Sequence, residues 1–277
     1  MKRLATLVVL ACAVAGTAKA ETQLERGSYL VNTIMTCGNC HSPKGPPAAV
    51  AGKDFSGGLR FTTPAFDVTA PNITPDKETG IGTWSAADIK KLLLTGVPPD
   101  GKPIAVMPTG FYGILLPSDL DAIVTYMQSV KPVSNKVPAP VYHVPIRQEV
   151  VPGADKPIDP AALKDQVKRG FYLATIGHCM ECHTPREKGQ LVLSKMGAGG
   201  QEFPGPWGIS VSRNITSSKT KGIGAWTDAE IKRAITQGVD KDGKKLNGPM
   251  GFAYYAHMKD ADLNDLIAWV RTVPPKE

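Results

Sequence analysis

Cysteine is scarce in this chain: five occur in 277 residues, Cys12 near the N-terminus and the rest in two close pairs, Cys37 with Cys40 and Cys179 with Cys182. Nothing is left over for a disulfide framework or for a separate thiol nucleophile. Long apolar runs are also missing after the first twenty residues. A bilayer-spanning helix needs roughly 18–20 such residues, so no transmembrane segment is expected in the mature chain, and any membrane association would come through partners. No stretch alternates polar and apolar side chains for long, which argues against an extensive half-buried sheet and for an all-α chain of helices and loops.

A strong charge of one sign is missing too. The formal balance is +7, but Lys2, Arg3 and Lys19 supply three of those charges. They belong to a segment built like a secretory leader: Lys2-Arg3, an uncharged apolar run over 4–16, then Ala18-Lys19-Ala20 ahead of Glu21. Residues 1–20 are therefore expected to be a signal peptide, cleaved on export to the periplasm. Lipidation at Cys12 is the competing reading, which would truncate the apolar run and leave the small-x-small cleavage site unused. The remaining surplus, +4, gives no reason to expect nucleic acid as a partner.

What the chain does contain is one five-residue pattern twice, Cys37-Gly38-Asn39-Cys40-His41 and Cys179-Met180-Glu181-Cys182-His183. Two thiols three residues apart can add across the two vinyl groups of a haem while the following imidazole ligates its iron. Zinc and a thioredoxin-like dithiol are the competing readings. Structural zinc wants four ligands, usually as two separated pairs, and no second pair lies near either motif. Two covalently bound haem c groups are thus expected, and their four propionates would bring the mature charge to about zero.

The duplication extends beyond the motif. Arg26-Gly27 returns as Arg169-Gly170, Asn72-Ile73-Thr74 as Asn214-Ile215-Thr216, and Gly80-Ile81-Gly82-Thr83-Trp84 as Gly222-Ile223-Gly224-Ala225-Trp226. Matching over a whole unit signals two tandem domains, expected at 21–130 and 161–277. Residues 131–160 carry seven prolines, which forbids helix and favours an extended strap between the units. Within each unit, Ser85 with Asp88 and Thr227 with Glu230 read as capping boxes ahead of helices stopped at Gly96 and Gly238. The closing helices should start at Pro117 and Asp260.

Function turns on the side of the iron opposite the histidine, because a methionine there gives a closed, electron-transferring centre and raises its potential. When the units are aligned through their closing helices, Met107 falls opposite Met250, each in a proline-bearing loop 70 or 71 residues after the first motif cysteine. These two are the candidate distal ligands, with His41 and His183 proximal; the unpaired methionines read as core filler. His143 and His257 are the alternative ligands to watch. Trp84 and Trp226 either wall the haem pockets or are plain core. Arg213, with Arg60, Asn72 and Asn214, could reach propionates, although loop asparagines commonly satisfy their own backbone.

Taken together, Cys-x-x-Cys-His, Asn-Ile-Thr, Gly-Ile-Gly-x-Trp and a loop methionine before an Asp-Leu helix resemble the dihaem class I c-type cytochromes. The likeness is greatest to the cytochrome subunits that accept electrons from bacterial periplasmic or membrane-bound dehydrogenases. That resemblance implies a helical cytochrome c fold in each half, His/Met iron ligation, and helix crossings at Gly27 against Tyr126 and Gly170 against Trp269. It further implies an electron-transfer protein, not itself an enzyme, that takes electrons from a dehydrogenase and passes them to a cytochrome or terminal oxidase. Two departures are visible: three-haem subunits of that kind carry another unit and often an anchoring tail, and the loops read Met107-Pro108 and Met250-Gly251. The competing reading is a catalytic dihaem cytochrome of peroxidase or thiosulfate-oxidising type, which needs one iron without methionine.

Overall fold

Local signals set most of the helices. In the computed structural model, which describes residues 20–44, 50–104, 106–145, 149, 151–205 and 207–277, the first half contains α1 (Gln23–Tyr29), α2 (Cys37–His41), α3 (Ala86–Thr95) and α4 (Pro117–Ser129). The second contains α5 (Gln166–Ile176), α6 (Cys179–His183), α7 (Asp228–Gln237), α8 (Phe252–Tyr255) and α9 (Asp260–Val270). The expected leader and Cys12 lie outside the described residues, except for Ala20. Ser85 and Thr227 each accept the backbone N–H three residues on while that residue's carboxylate returns the bond, so both capping boxes form. Gly96 and Gly238 end these helices at φ 67° and 64°, a left-handed turn that glycine adopts without strain. One asymmetry is that α1 runs on as a π-helical turn, Leu30–Ile34, where α5 stays regular.

In each half the opening and closing helices cross at a glycine. A Cβ on Gly27 would lie 2.0 Å from the Ala122 carbonyl oxygen, and one on Gly170 1.9 Å from that of Asp265, so the contact is backbone to backbone. Beside each crossing an arginine makes a two-pronged ion pair with a buried acid: Arg26 with Asp119 at 2.9 and 2.8 Å, Arg169 with Asp265 at 2.6 and 3.1 Å. Removing either arginine strands a buried carboxylate, which costs up to about 3–5 kcal/mol.

The described residues are mainly helix and loop, and the all-α expectation holds only in part. Among the described residues three small antiparallel sheets interrupt the loops: β1 (Arg60–Thr63), β2 (Phe66–Thr69) and β3 (Val141–Tyr142) in one, β4 (Arg186–Glu187) with β5 (Gln190–Leu191), and β6 (Glu202–Gly205) with β7 (Gly208–Val211). With at most four residues each, these strands are too short to print a period of two on the sequence. The proline-rich strap is extended and tied down. It supplies β3 to the edge of β2, buries Val151 and Ala154, accepts from the Asn72 side chain at the Val133 carbonyl, and donates from its own Asn135 side chain to the Ser56 carbonyl.

The two halves fold back on one another with an approximate two-fold relation. Tyr29 of the first donates to Asp262 of the second at 2.5 Å and accepts from the Lys259 N–H. At the matched positions, Tyr172 of the second donates to Asp119 of the first at 2.6 Å and accepts from the Leu116 N–H. Asp119 therefore serves both an arginine and a tyrosine, while in the second half those duties are divided between Asp265 and Asp262. One contiguous apolar core, from Leu30 and Ile34 to Ile176 and Ile267, runs through both halves. Because Tyr172 is 2% exposed and its acceptor is ionic, Tyr172→Phe should cost about 2 kcal/mol, read as a lower thermal midpoint of the holoprotein. Tyr29→Phe, at a more exposed site, should cost less, and the reverse order would contradict this account of the seam.

Candidate haem-binding site

Both motifs begin with a residue held in a strained conformation. Thr36 and His178 adopt left-handed backbone angles, φ 49° and 44°, which β-branched and bulky residues rarely take. This sharp turn ends the preceding helix and restarts the chain as α2 or α6, one short turn of helix that carries both cysteines and the histidine on adjacent faces. None of the four thiols is in a disulfide.

Each motif histidine is oriented by a main-chain oxygen. The Nδ1 of His41 lies 2.8 Å from the Pro71 carbonyl and that of His183 2.7 Å from the Arg213 carbonyl. A carbonyl can only accept, so Nδ1 carries the proton and Nε2 keeps its lone pair for a metal. Desolvation lowers both imidazoles' pKa, with the carbonyl bond acting the other way. The ring is thereby kept neutral, as a ligand must be.

Burial pushes the thiols in the opposite direction, Cys37 up to about 12 and Cys40 and Cys179 up to about 11, with Cys182 raised as well. A redox dithiol or zinc thiolate needs a lowered pKa. Among the described residues no cluster of three His, Cys, Asp or Glu donors gathers to hold a metal ion. The donor set instead fits haem: two adjacent protonated thiols to form thioethers, and an imidazole already in the correct tautomer.

The methionine loops are built alike. The Met107 carbonyl accepts from the Thr109 N–H at 2.8 Å and the Met250 carbonyl from the Phe252 N–H at 2.9 Å, and both residues are half-buried. Each loop is also held by something outside its own helical frame. A Cβ on Gly110 would lie 1.8 Å from the Glu149 carbonyl of the strap, and the Pro249 carbonyl accepts from the Asn39 side chain of the first motif at 2.8 Å. Trp84 and Trp226 are half-buried against the core, each with its backbone N–H bonded three residues back to Ile81 or Ile223.

Other candidates fall elsewhere. Arg213 is exposed, and it is its carbonyl rather than its guanidinium that meets the site, through His183. Arg60 is paired with Asp67 on the β1–β2 hairpin. Asn72 and Asn214 accept from the backbone and hydroxyl of Thr74 and Thr216 and donate to the carbonyls of Val133 and Lys276, so they fasten the end of each closing segment. His143 and His257 are exposed. Sequence reasoning missed the Pro71 and Arg213 carbonyls, since a main-chain acceptor has no side-chain signature. It also missed Tyr112 and Tyr255, matched in the repeat and within electrostatic reach of cysteines of both motifs or of Glu181 between them.

Two such units, each presenting paired thiols and an imidazole with its outer nitrogen free, define a dihaem c-type cytochrome. The cytochrome c family model matches residues 24–131 and again 167–274, and the chain belongs to the cytochrome c family, with two covalently bound haem c groups. It is similar to the cytochrome c subunit of a quinone alcohol dehydrogenase from Gluconobacter oxydans, 29% identical over 92% of this chain and 55% of that one. It is also similar to the gluconate 2-dehydrogenase cytochrome c subunit of Pantoea cypripedii, 31% identical over 92% of this chain and 60% of that one. A dihaem c-type cytochrome of Cereibacter sphaeroides is 29% identical over 87% of this chain and 83% of its own length. The chain thus spans a little over half the length of the two dehydrogenase subunits. Among the described residues no helix is long and apolar enough to cross a membrane.

Proposed function

We propose that this protein is an exported electron relay that takes single electrons from a dehydrogenase and hands them to a downstream cytochrome or terminal oxidase. On this reading residues 1–20 are removed on export to the periplasm, 21–130 and 161–277 are the two haem units, and 131–160 is the strap between them. Cys37, Cys40, Cys179 and Cys182 tether the haems, His41 and His183 ligate proximally, and Met107 and Met250 ligate distally. When bound, each haem supplies a one-electron ferric/ferrous couple. The protein's part is to orient, exclude solvent and tune. Thr36 and His178 aim the motif helices, the Pro71 and Arg213 carbonyls fix the imidazoles, and Trp84 and Trp226 close the apolar surroundings.

The observation that carries this reading is the pair of imidazoles locked by main-chain carbonyls with Nε2 left free, each beside a thiol pair and each in a unit with a matched loop methionine. The likeness to dehydrogenase cytochrome subunits supports the choice of donor. The test uses native holoprotein: once reduced it should leave carbon monoxide unbound, show no peroxide turnover, and give up two electrons per molecule to an oxidised acceptor cytochrome. Carbon monoxide binding at either reduced iron would overturn the reading in favour of a catalytic dihaem protein.

A further inference from the structure

The two attachment motifs approach each other across the seam, where the His178 ring nitrogen lies 3.4 Å from the Met35 carbonyl and Cys40 is within electrostatic reach of Glu181, yet the charges fastened to them are of opposite sign. In the first motif the position between the cysteines is Asn39, whose side-chain oxygen accepts from Lys44 Nζ at 2.7 Å. At the matched position in the second motif stands Glu181, 3.3 Å from His178 Nδ1 and 3.9 Å from Arg186. Arg186 takes the place of Lys44 in the repeat but is already bound by a second carboxylate, Glu149 of the strap, at 3.1 Å. Counting Asn39 and Lys44 on one side and Glu181, Arg186 and Glu149 on the other, the first motif carries one net positive charge and the second one net negative.

The charges at the second motif are partly sheltered, with Glu181, Arg186 and Glu149 23%, 30% and 26% exposed, while Lys44 at the first is exposed. Solvent screening therefore weakens their field without abolishing it. The Glu181 carboxylate acts mainly on Cys182 of its own motif, where it is the leading charge, and also reaches Cys40 across the seam. Negative charge beside a haem favours the ferric state and lowers its potential, and positive charge does the reverse.

Building on the relay reading, we infer that this charge difference ranks the two haems, the unit-one haem at the higher potential and the unit-two haem at the lower. With haems held by His183 and His41, the internal transfer would be a single electron from the second unit to the first, the second unit's group being oxidised and the first unit's reduced, with no bond or proton exchanged. Electrons would enter through the second unit and leave through the first.

Spectroelectrochemical titration of the purified holoprotein tests the ranking by resolving two midpoints. Glu181→Gln should raise the lower midpoint more than the upper, and Lys44→Gln should lower the upper more than the lower, so that the gap narrows in both variants. Glu187→Gln, at an exposed site paired with Lys195, should move neither. A gap that widens or holds constant in the Glu181 or Lys44 variants would overturn the ranking. Because midpoints are read without any donor or acceptor protein, that failure differs from failure of the relay reading, which carbon monoxide binding to the native reduced protein would reveal.

Discussion

Alanine at Gly27 or Gly170 should cripple the protein. The added carbon would sit 2.0 or 1.9 Å from a carbonyl oxygen on the partner helix, with Tyr126 Cβ or Trp269 Cβ of the same helix within 2.8 Å. Neither obstacle is the flexible end of a side chain. The helices must separate by more than an ångström, which breaks the register of Arg26 with Asp119 or Arg169 with Asp265. Overpacking of a well-filled site costs typically 1–3 kcal/mol, and a weakened buried ion pair adds to that, so a loss of about 4 kcal/mol is expected for each variant. The measurement is thermal unfolding of the holoprotein, with haem content per chain as a second readout. A Gly170→Ala protein that keeps the native midpoint and two haems would show that the crossing is looser than described.

How much of this was legible in the sequence depends on the range of the interaction. Ser85, Asp88 and Gly96 announce α3 because capping is decided within a few residues, and their repeats at Thr227, Glu230 and Gly238 announce α7 for the same reason. The motifs Cys37–His41 and Cys179–His183 are legible because haem attachment imposes a fixed local spacing. The seam was not. Tyr29 meets its acid 233 residues away, at Asp262, and no local pattern marks either partner. The hairpin β1–β2 was missed for a different reason: four-residue strands held by Arg60 and Asp67 on an exposed face leave no apolar alternation to read. The carbonyls of Pro71 and Arg213 could be found only by folding the chain, since any residue type offers the same oxygen.

The duplicated architecture has an unequal consequence for the loops that bear the methionines. The Met107 loop leads into the turn Thr109–Phe111, which the strap covers at Gly110. The Met250 loop is instead bonded through Pro249 to Asn39 of the first motif, with Gly251 and Tyr254 close to Thr36 and Gly38. The first unit's loop is thus fixed by the connection between the units, and the second unit's by the neighbouring haem attachment helix. Disturbance at the first motif should therefore be felt at the second unit's distal loop.

Met107→Ala and Met250→Ala should each convert one closed centre into an open one. A haem that loses a thioether ligand gains a free coordination position in the ferrous state, and its potential falls because methionine favours ferrous iron. Carbon monoxide bound per reduced molecule should rise from none in the native protein to one in each single variant and two in the double variant, measured by difference spectroscopy. In each single variant one midpoint should drop while the other stays close to its native value. Histidine at either position should restore closure to carbon monoxide while keeping the potential low, which separates loss of a ligand from loss of fold. The loop attachments add a finer expectation: Asn39→Ala, which removes the bond to Pro249, should weaken closure at the second unit before the first. Carbon monoxide appearing first on the first-unit haem in that variant, or a Met250→Ala protein inert to carbon monoxide, would mean that the iron opposite His183 is closed by some other group.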